Sequence, residues 1–377
     1  MTMIILKFYY FISNRKIPIF VLLFLLVLST KIYLTEKDAR NDQREKPKNN
    51  EDLVCSKVTL PAFEAKHADD NQVFLLETTG NKFLRGRQCC SIESIARNSG
   101  LVAKVIFKST ELDLSESQGL CDLYFNQNNV QFYTLNFAEF FRNSPVEGLH
   151  EKIEKAKVSH THYSNVLRSL LQYRFGGFYL DLDVMILKDI TNLRNVMSFE
   201  TASHPSYVGK PHVSCNQPNG VSIKGQSRLE NAMSHGEKGH IFQYTWLSLA
   251  NEEFDPSTWA WGRQPLLTGR VAKQLLKSWD SLSLGNFTIY NTGQQYHITI
   301  IPEKSFSPVH HSRSKYLFTA RDMAPSDWDE LFKCSYGVHF CSHNTGKHPL
   351  KGNPTREAYS YLGPMHCPRS MKNLKQF

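Results

Sequence analysis

Several features are scarce in this 377-residue chain. Outside residues 17–30 it has no long uncharged apolar run, and its mean hydropathy is −0.38, which excludes a multi-spanning membrane protein. It has no internal repeat, which excludes a solenoid, and no dense Lys/Arg tract in its bulk. Residues 1–34 contain no acidic residue at all. What is present is a globular composition: 41% hydrophobic, 12% aromatic and 21% charged residues, too apolar for intrinsic disorder or a coiled coil.

The net charge of +9 invites a nucleic-acid reading, and its distribution removes it. Lys7, Arg15, Lys16 and Lys31 give residues 1–34 a charge of +4; residues 35–52 carry −1; the remaining 325 residues carry only +6. No nucleic-acid partner is expected. Three of the N-terminal bases precede the run IPIFVLLFLLVLST at 17–30. With Lys31 snorkelling, residues 17–34 reach roughly 27 Å at about 1.5 Å per residue, close to a thin bilayer core. Bases before the run place the N-terminus in the cytoplasm and the rest in a lumen. A cleaved signal peptide is the competing reading, but no small-x-small cleavage site follows the run. Residues 35–52 hold eleven charges and no large apolar side chain, the composition of a solvated stem. The expected layout is a cytoplasmic tail (1–16), a signal-anchor (17–34), a lumenal stem (35–70) and one large domain (71–377).

Eight cysteines, an even number, point to disulfides in a lumenal chain. Asn286-Phe287-Thr288 is the one N-glycosylation sequon. Cys334-x4-His339-x-Cys341-x-His343 has a zinc-knuckle look without a standard ligand spacing, so bridged or packed thiols are the preferred reading.

Within the large domain, strands are expected at 71–78, 101–107, 130–137 and 178–180, with helices at 93–98, 137–142 and 160–175. The alternation predicts an α/β domain with a largely parallel sheet. Residues 200–240 read as a long loop, a lid candidate, with histidines 204, 212, 235 and 240 as loop residues.

The chemistry concentrates at Arg174-Phe175-Gly176-Gly177-Phe178-Tyr179-Leu180-Asp181-Leu182-Asp183. A helix, a Gly-Gly stop and an aromatic strand precede two aspartates at i and i+2. On a strand they share one face, at the carboxyl edge where α/β folds bind ligands. Two like charges there call for a cation, and Mg2+ or Mn2+ with diphosphate oxygens fits hard carboxylate ligands.

These residues resemble the glycosyltransferases with a DXD sugar-binding region, and more narrowly the α-1,4-galactosyltransferase and α-1,4-N-acetylglucosaminyltransferase family. Phe175 to Asp183 is similar to that family's F-G-G-x-Y-L-D-x-D. Phe74-Leu75-Leu76-Glu77-Thr78, Cys90 to Arg97, Asn219-Gly220, Trp261-Gly262, Leu266-Leu267-Thr268, Val338-His339 and Cys367-Pro368 fall in the family's order. The resemblance implies a type A glycosyltransferase fold, a Rossmann-like mixed sheet flanked by helices. It also implies a UDP-sugar donor, Mn2+ (or Mg2+), retention at the anomeric carbon and a Golgi membrane location, with a glycolipid or glycan acceptor. It assigns Asp181 and Asp183 to metal, ribose and catalysis, His339 to metal or diphosphate, and Asn165, Arg168, Gly176 and Gly177 to donor binding. Three positions depart from the family pattern: Asn165 replaces an aspartate, Phe340-Cys341-Ser342 replaces x-W-N, and Arg263-Gln264-Pro265 replaces a Gly-Pro loop. These departures open a rival reading as a glycan- or lipid-binding protein without activity. A second rival is a secreted hydrolase using the two aspartates as acid and base.

Overall fold

A computed structural model describes residues 55–372 except 70, 117, 158–159, 201–214, 216–227, 258–263, 278–284, 320–321, 347 and 349. The expected tail, anchor and most of the stem (1–54) lie outside the described residues. Among the described residues, no helix is long and apolar enough to cross a membrane. The folded unit begins at Cys55, earlier than the expected 71. The reason is local: β1 (Lys57–Thr59) pairs antiparallel with β4 (Glu111–Asp113), and Leu60 and Phe63 are buried.

Eight strands form the main sheet: β2 (Gln72–Glu77), β3 (Val102–Phe107), β5 (Val130–Thr134), β6 (Gly177–Leu180), β8 (Val196–Phe199), β9 (Leu229–Gly236), β10 (Gly285–Asn291) and β11 (Gln294–Ile301). Their spatial order is β10-β11-β8-β9-β6-β2-β3-β5. The first half is parallel as expected, with β2 between β3 and β6. The second half is not: β9 runs antiparallel to both β6 and β8, and β10 to β11. The sheet is therefore mixed rather than largely parallel.

Alternation along the strands sorts side chains onto two faces. Val73, Leu75, Val105, Phe178 and Leu180 pack on one face with Cys89, Ile92 and Ile95 of α1 (Gly86–Asn98). Phe74, Ile106 and Tyr179 pack on the other with Val166, Leu167, Leu170 and Leu171 of the helix His160–Phe175. Each fully buried aliphatic side chain of this kind contributes about 1.5–3 kcal/mol. The expected strand at 71–78 and helix at 160–175 form almost as read. The expected helix at 93–98 starts earlier, because Arg87, Cys90 and Ser91 are also drawn inward by buried partners.

The expected loop at 200–240 is overturned for its second part. Residues 229–236 are a buried strand in mid-sheet, and His240 caps the helix Ile241–Glu252 by accepting the Phe242 N–H. His235 is buried against Phe178, where burial lowers its imidazole to about 3, so it stays neutral. Small and polar residues, Ser234, His235 and Gly236 among them, hid this strand. They tolerate the interior because Gln172 reaches across to the Ser234 carbonyl at 2.9 Å and the Asn195 N–H donates to His235 Nδ1. Of residues 201–227 only Cys215 is described; His204, His212 and Asn219-Gly220 lie outside.

A third core joins the C-terminal segments around Phe318, Trp328, Phe340 and Tyr359. Trp328 belongs to the helix Pro325–Phe332 and Tyr359 to the helix Ala358–His366. Helix α1 ties this core to the sheet. Cys90 is disulfide-bonded to Cys367, and Glu93 accepts the Arg369 and Ser370 N–H groups. Arg87 donates to the Thr345 and His348 carbonyls over the Phe318 ring. Cys215 pairs with Cys334, and Cys55 is also disulfide-bonded. The bond at Cys334 removes it from the zinc-knuckle set.

Gly176 and Gly177 have φ of +72° and +102°. A Cβ on Gly177 meets the Gln72 carbonyl at 2.9 Å, and one on Gly176 meets Lys238 N at 3.0 Å. Gly177 also lies at the opposite end of β6 from Asp181, about 13 Å away at 3.3 Å per residue. The pair thus turns helix into strand and lets β2 approach. Gly177→Ala is expected to lower stability by at least about 1–3 kcal/mol, read as a loss in thermal midpoint of the purified protein.

Candidate active site

The two aspartates do not share a strand face. β6 ends at Leu180, and Asp181-Leu182-Asp183 forms a turn closed by Val184 N donating to the Asp181 carbonyl. The turn leads into β7 (Val184–Ile186). Asp181 follows Tyr179 in alternation, toward the helix His160–Phe175, here α5 after α2 (Gln118–Asn126), α3 (Phe137–Phe141) and α4 (Leu149–Ala156). There the Tyr179 hydroxyl donates to Asp181 Oδ1 at 2.6 Å and the Arg168 guanidinium stands 3.1 Å from the same oxygen. Arg168 is itself buried, donates to the Asn231 carbonyl at 2.6 Å and stacks 4.5 Å over the Tyr179 ring.

Asp183 turns the other way. β12 (Gly337–His339) pairs antiparallel with β7 and sets His339 opposite Val184. His339 Nε2 then lies 3.3 Å from Asp183 Oδ1, while the Ser342 N–H donates to Asp183 Oδ2 at 2.6 Å. The close approach depends on Gly337, where a Cβ would meet Met233 Cε at 2.8 Å and Met185 O at 3.2 Å.

Burial pushes the Asp181 carboxyl up, against the pull of Arg168. Burial acts the same way on Asp183, but His339 and the Ser342 N–H prevail and hold it below the ordinary range. Burial opposes a charged His339 ring; Cys341 and Asp183 outweigh it and raise the imidazole well above its usual value. Burial also raises the Cys341 thiol, so Asp183 is the partner that carries the charge.

Ligand atoms of Asp181, Asp183 and His339 all lie within 4.8 Å of one another. Two carboxylates and one imidazole suit a hard or borderline divalent cation, so the residues fit the metal that the D-x-D reading calls for. A second group, Glu200, His310 and His311, meets the same distance criterion. There Arg228 already pairs with Glu200 and His311 Nδ1 lies 3.1 Å from it, so its charge is met without an ion.

Arg168 faces Asp181 as a partner of the carboxylate. Asn165, one turn earlier, is buried beside it. Asn286 is exposed on the edge strand β10, with its amide oxygen accepting from Thr299 at 2.9 Å. Gln264-Pro265 opens the helix Gln264–Leu276 rather than a loop, and Trp261, Gly262 and Arg263 lie outside the described residues. Sequence reasoning missed Glu230, a buried carboxylate on β9 whose Oε1 lies 3.8 Å from His339 Nδ1. The signal was a lone acid in a segment taken for loop.

Residues 65–201 match the glycosyltransferase sugar-binding region containing the DXD motif, which places the chain among the glycosyltransferases. Residues 235–374 match the alpha 1,4-glycosyltransferase conserved region, and the chain belongs to that family. It is 24% identical to lactosylceramide 4-alpha-galactosyltransferase of Rattus norvegicus, over 94% of this chain and 89% of that protein. With the Homo sapiens protein of the same name it shares 24% identity over 86% of this chain and 84% of that one. Among solved structures, the PaToxG glycosyltransferase superposes with a TM-score of 0.38 and 14% identity over 56% of this chain and 72% of that chain.

Arg168→Ala strands Asp181 as a buried charge without its cation. It is expected to cost about 3–5 kcal/mol in denaturant unfolding. Adding Asp181→Asn should recover part of that loss. A full cost that persists in the double variant would refute the pairing.

Proposed function

We propose that this glycosyltransferase moves galactose or N-acetylgalactosamine from a UDP-sugar to a glycosphingolipid of the lactosylceramide type, forming an α-1,4 linkage with retention. The observation that carries the reading is the convergence of Asp181, Asp183 and His339 within 4.8 Å at the carboxyl end of β6. The activity for which the relatives are named supports the acceptor class and the linkage. The mixed sheet supports a type A glycosyltransferase fold.

Asp181, Asp183 and His339 are the residues that would hold Mn2+ or Mg2+. A divalent cation there supplies positive charge to the departing diphosphate. The protein's own groups keep that arrangement ready. Arg168 and the Tyr179 hydroxyl fix Asp181, and the Ser342 N–H fixes Asp183, so neither carboxylate needs reorganisation when substrate arrives. The low exposure of both aspartates excludes bulk water from one side, which strengthens every charge interaction in the site. Asn165 is proposed to accept from a donor hydroxyl one turn from Arg168. The location consistent with the basic, apolar N-terminus is the Golgi membrane, single-pass type II, with the domain lumenal and Asn286 glycosylated.

Incubation of the protein with Mn2+, UDP-galactose, UDP-N-acetylgalactosamine or UDP-N-acetylglucosamine and lactosylceramide-type acceptors, followed by UDP release, tests the proposal. Asp181→Asn and Asp183→Asn are each expected to abolish metal-dependent transfer while the protein stays folded. Turnover with UDP-N-acetylglucosamine alone would move the reading to an α-1,4-N-acetylglucosaminyltransferase. No turnover with any donor would favour the glycan-binding alternative.

A further inference from the structure

We infer that Glu230 is a positioning residue for the metal site: it holds His339 through Nδ1, so that Nε2 faces the cation between Asp181 and Asp183. The inference rests on the reading of Asp181, Asp183 and His339 as metal ligands.

Glu230 is the second residue of β9, and its carboxylate is fixed at both oxygens. Oε1 accepts the Ala232 N–H at 3.1 Å, and Oε2 accepts the Ser307 hydroxyl at 3.0 Å. A carboxylate has about four acceptor sites, so two bonds leave capacity on each side. On the Oε1 side, at 3.8 Å, stands His339 Nδ1. The ring's other nitrogen, Nε2, faces Asp183 at 3.3 Å. Among the described residues, Glu230 is the acid within ion-pair distance of Nδ1.

A metal-ligating histidine ordinarily donates its second N–H to a carboxylate or carbonyl, which fixes both tautomer and ring orientation. Glu230 Oε1 stands within ion-pair distance of Nδ1 at 3.8 Å, longer than a hydrogen bond, and it comes from a strand of the main sheet, while His339 comes from a separate two-stranded sheet. The contact therefore registers the C-terminal segment against the main sheet at the site itself.

The test is Mn2+ binding to the full chain in detergent, read from the paramagnetic resonance signal of free Mn2+. Glu230→Gln is expected to weaken binding about 10- to 100-fold. Without Mn2+ the loss of stability should be that of one buried hydrogen bond, about 1–3 kcal/mol, and should be the same in the His339→Ala background. In the His339→Ala background, adding Glu230→Gln should weaken binding no further. Wild-type Mn2+ affinity in Glu230→Gln would overturn the inference, as would an equal loss with and without His339. If Asp181→Asn, Asp183→Asn and His339→Ala all bind Mn2+ like the wild type, the metal-site reading falls and takes the inference with it. Loss in Asp183→Asn with none in Glu230→Gln overturns the inference alone.

Discussion

Two carboxylates placed two residues apart and taken out of water repel each other and lose hydration together. The site is organised around that constraint. Each aspartate is given its own set of partners from a different direction: Arg168 and Tyr179 for Asp181, His339 and the Ser342 N–H for Asp183. The turn at Leu182 makes this division possible. On a continuous strand both side chains would emerge on one face, and a single set of partners would have to serve them. Ligand atoms of the two carboxylates and the imidazole lie within 4.8 Å of one another, a set suited to a cation.

The rest of the fold can be traced outward from those partners. Arg168 is buried because the helix carrying it packs Val166, Leu167, Leu170 and Leu171 on the same sheet face as Tyr179. His339 arrives because β12 pairs with β7, and β7 is gripped from below by α1. Ser91 donates to the Val184 carbonyl, and Ser94 accepts the Ile186 N–H at 2.9 Å. The same helix holds the C-terminus through Cys90, Glu93 and Arg87. The segment Cys90 to Arg97 thus braces the D-x-D turn on one side and the histidine-bearing segment on the other.

Much of the first half was legible from the chain alone. Val73 to Leu76 is a continuous apolar run, Val102 to Phe107 is one broken at a single position by Lys104, and residues 160–175 repeat apolar side chains at helical spacing before Gly176. The β9 strand was not legible, because its interior positions carry Glu230, Asn231, Ser234 and His235. Their polarity is satisfied by partners far away in sequence: Ser307 for Glu230, Gln172 for Ser234, Asn195 for His235. Periodicity registers side-chain type and is blind to such partners. The same blindness hid the close approach at Gly177, where a Cβ would meet the Gln72 carbonyl at 2.9 Å.

By itself, the sequence determined the α/β class, the D-x-D region and the family to which the chain belongs. Those are local patterns or ordered motifs, and residue type suffices to read them. The tertiary structure alone decided that the aspartates sit on a turn, that Arg168 serves Asp181 and that Cys334 is committed to Cys215. It alone brought Glu230 beside His339. The turn is closed locally, by Val184 N on the Asp181 carbonyl, but the other three are contacts between segments well separated in the chain, up to 119 residues for Cys215 and Cys334, and such distances leave no trace in local spacing.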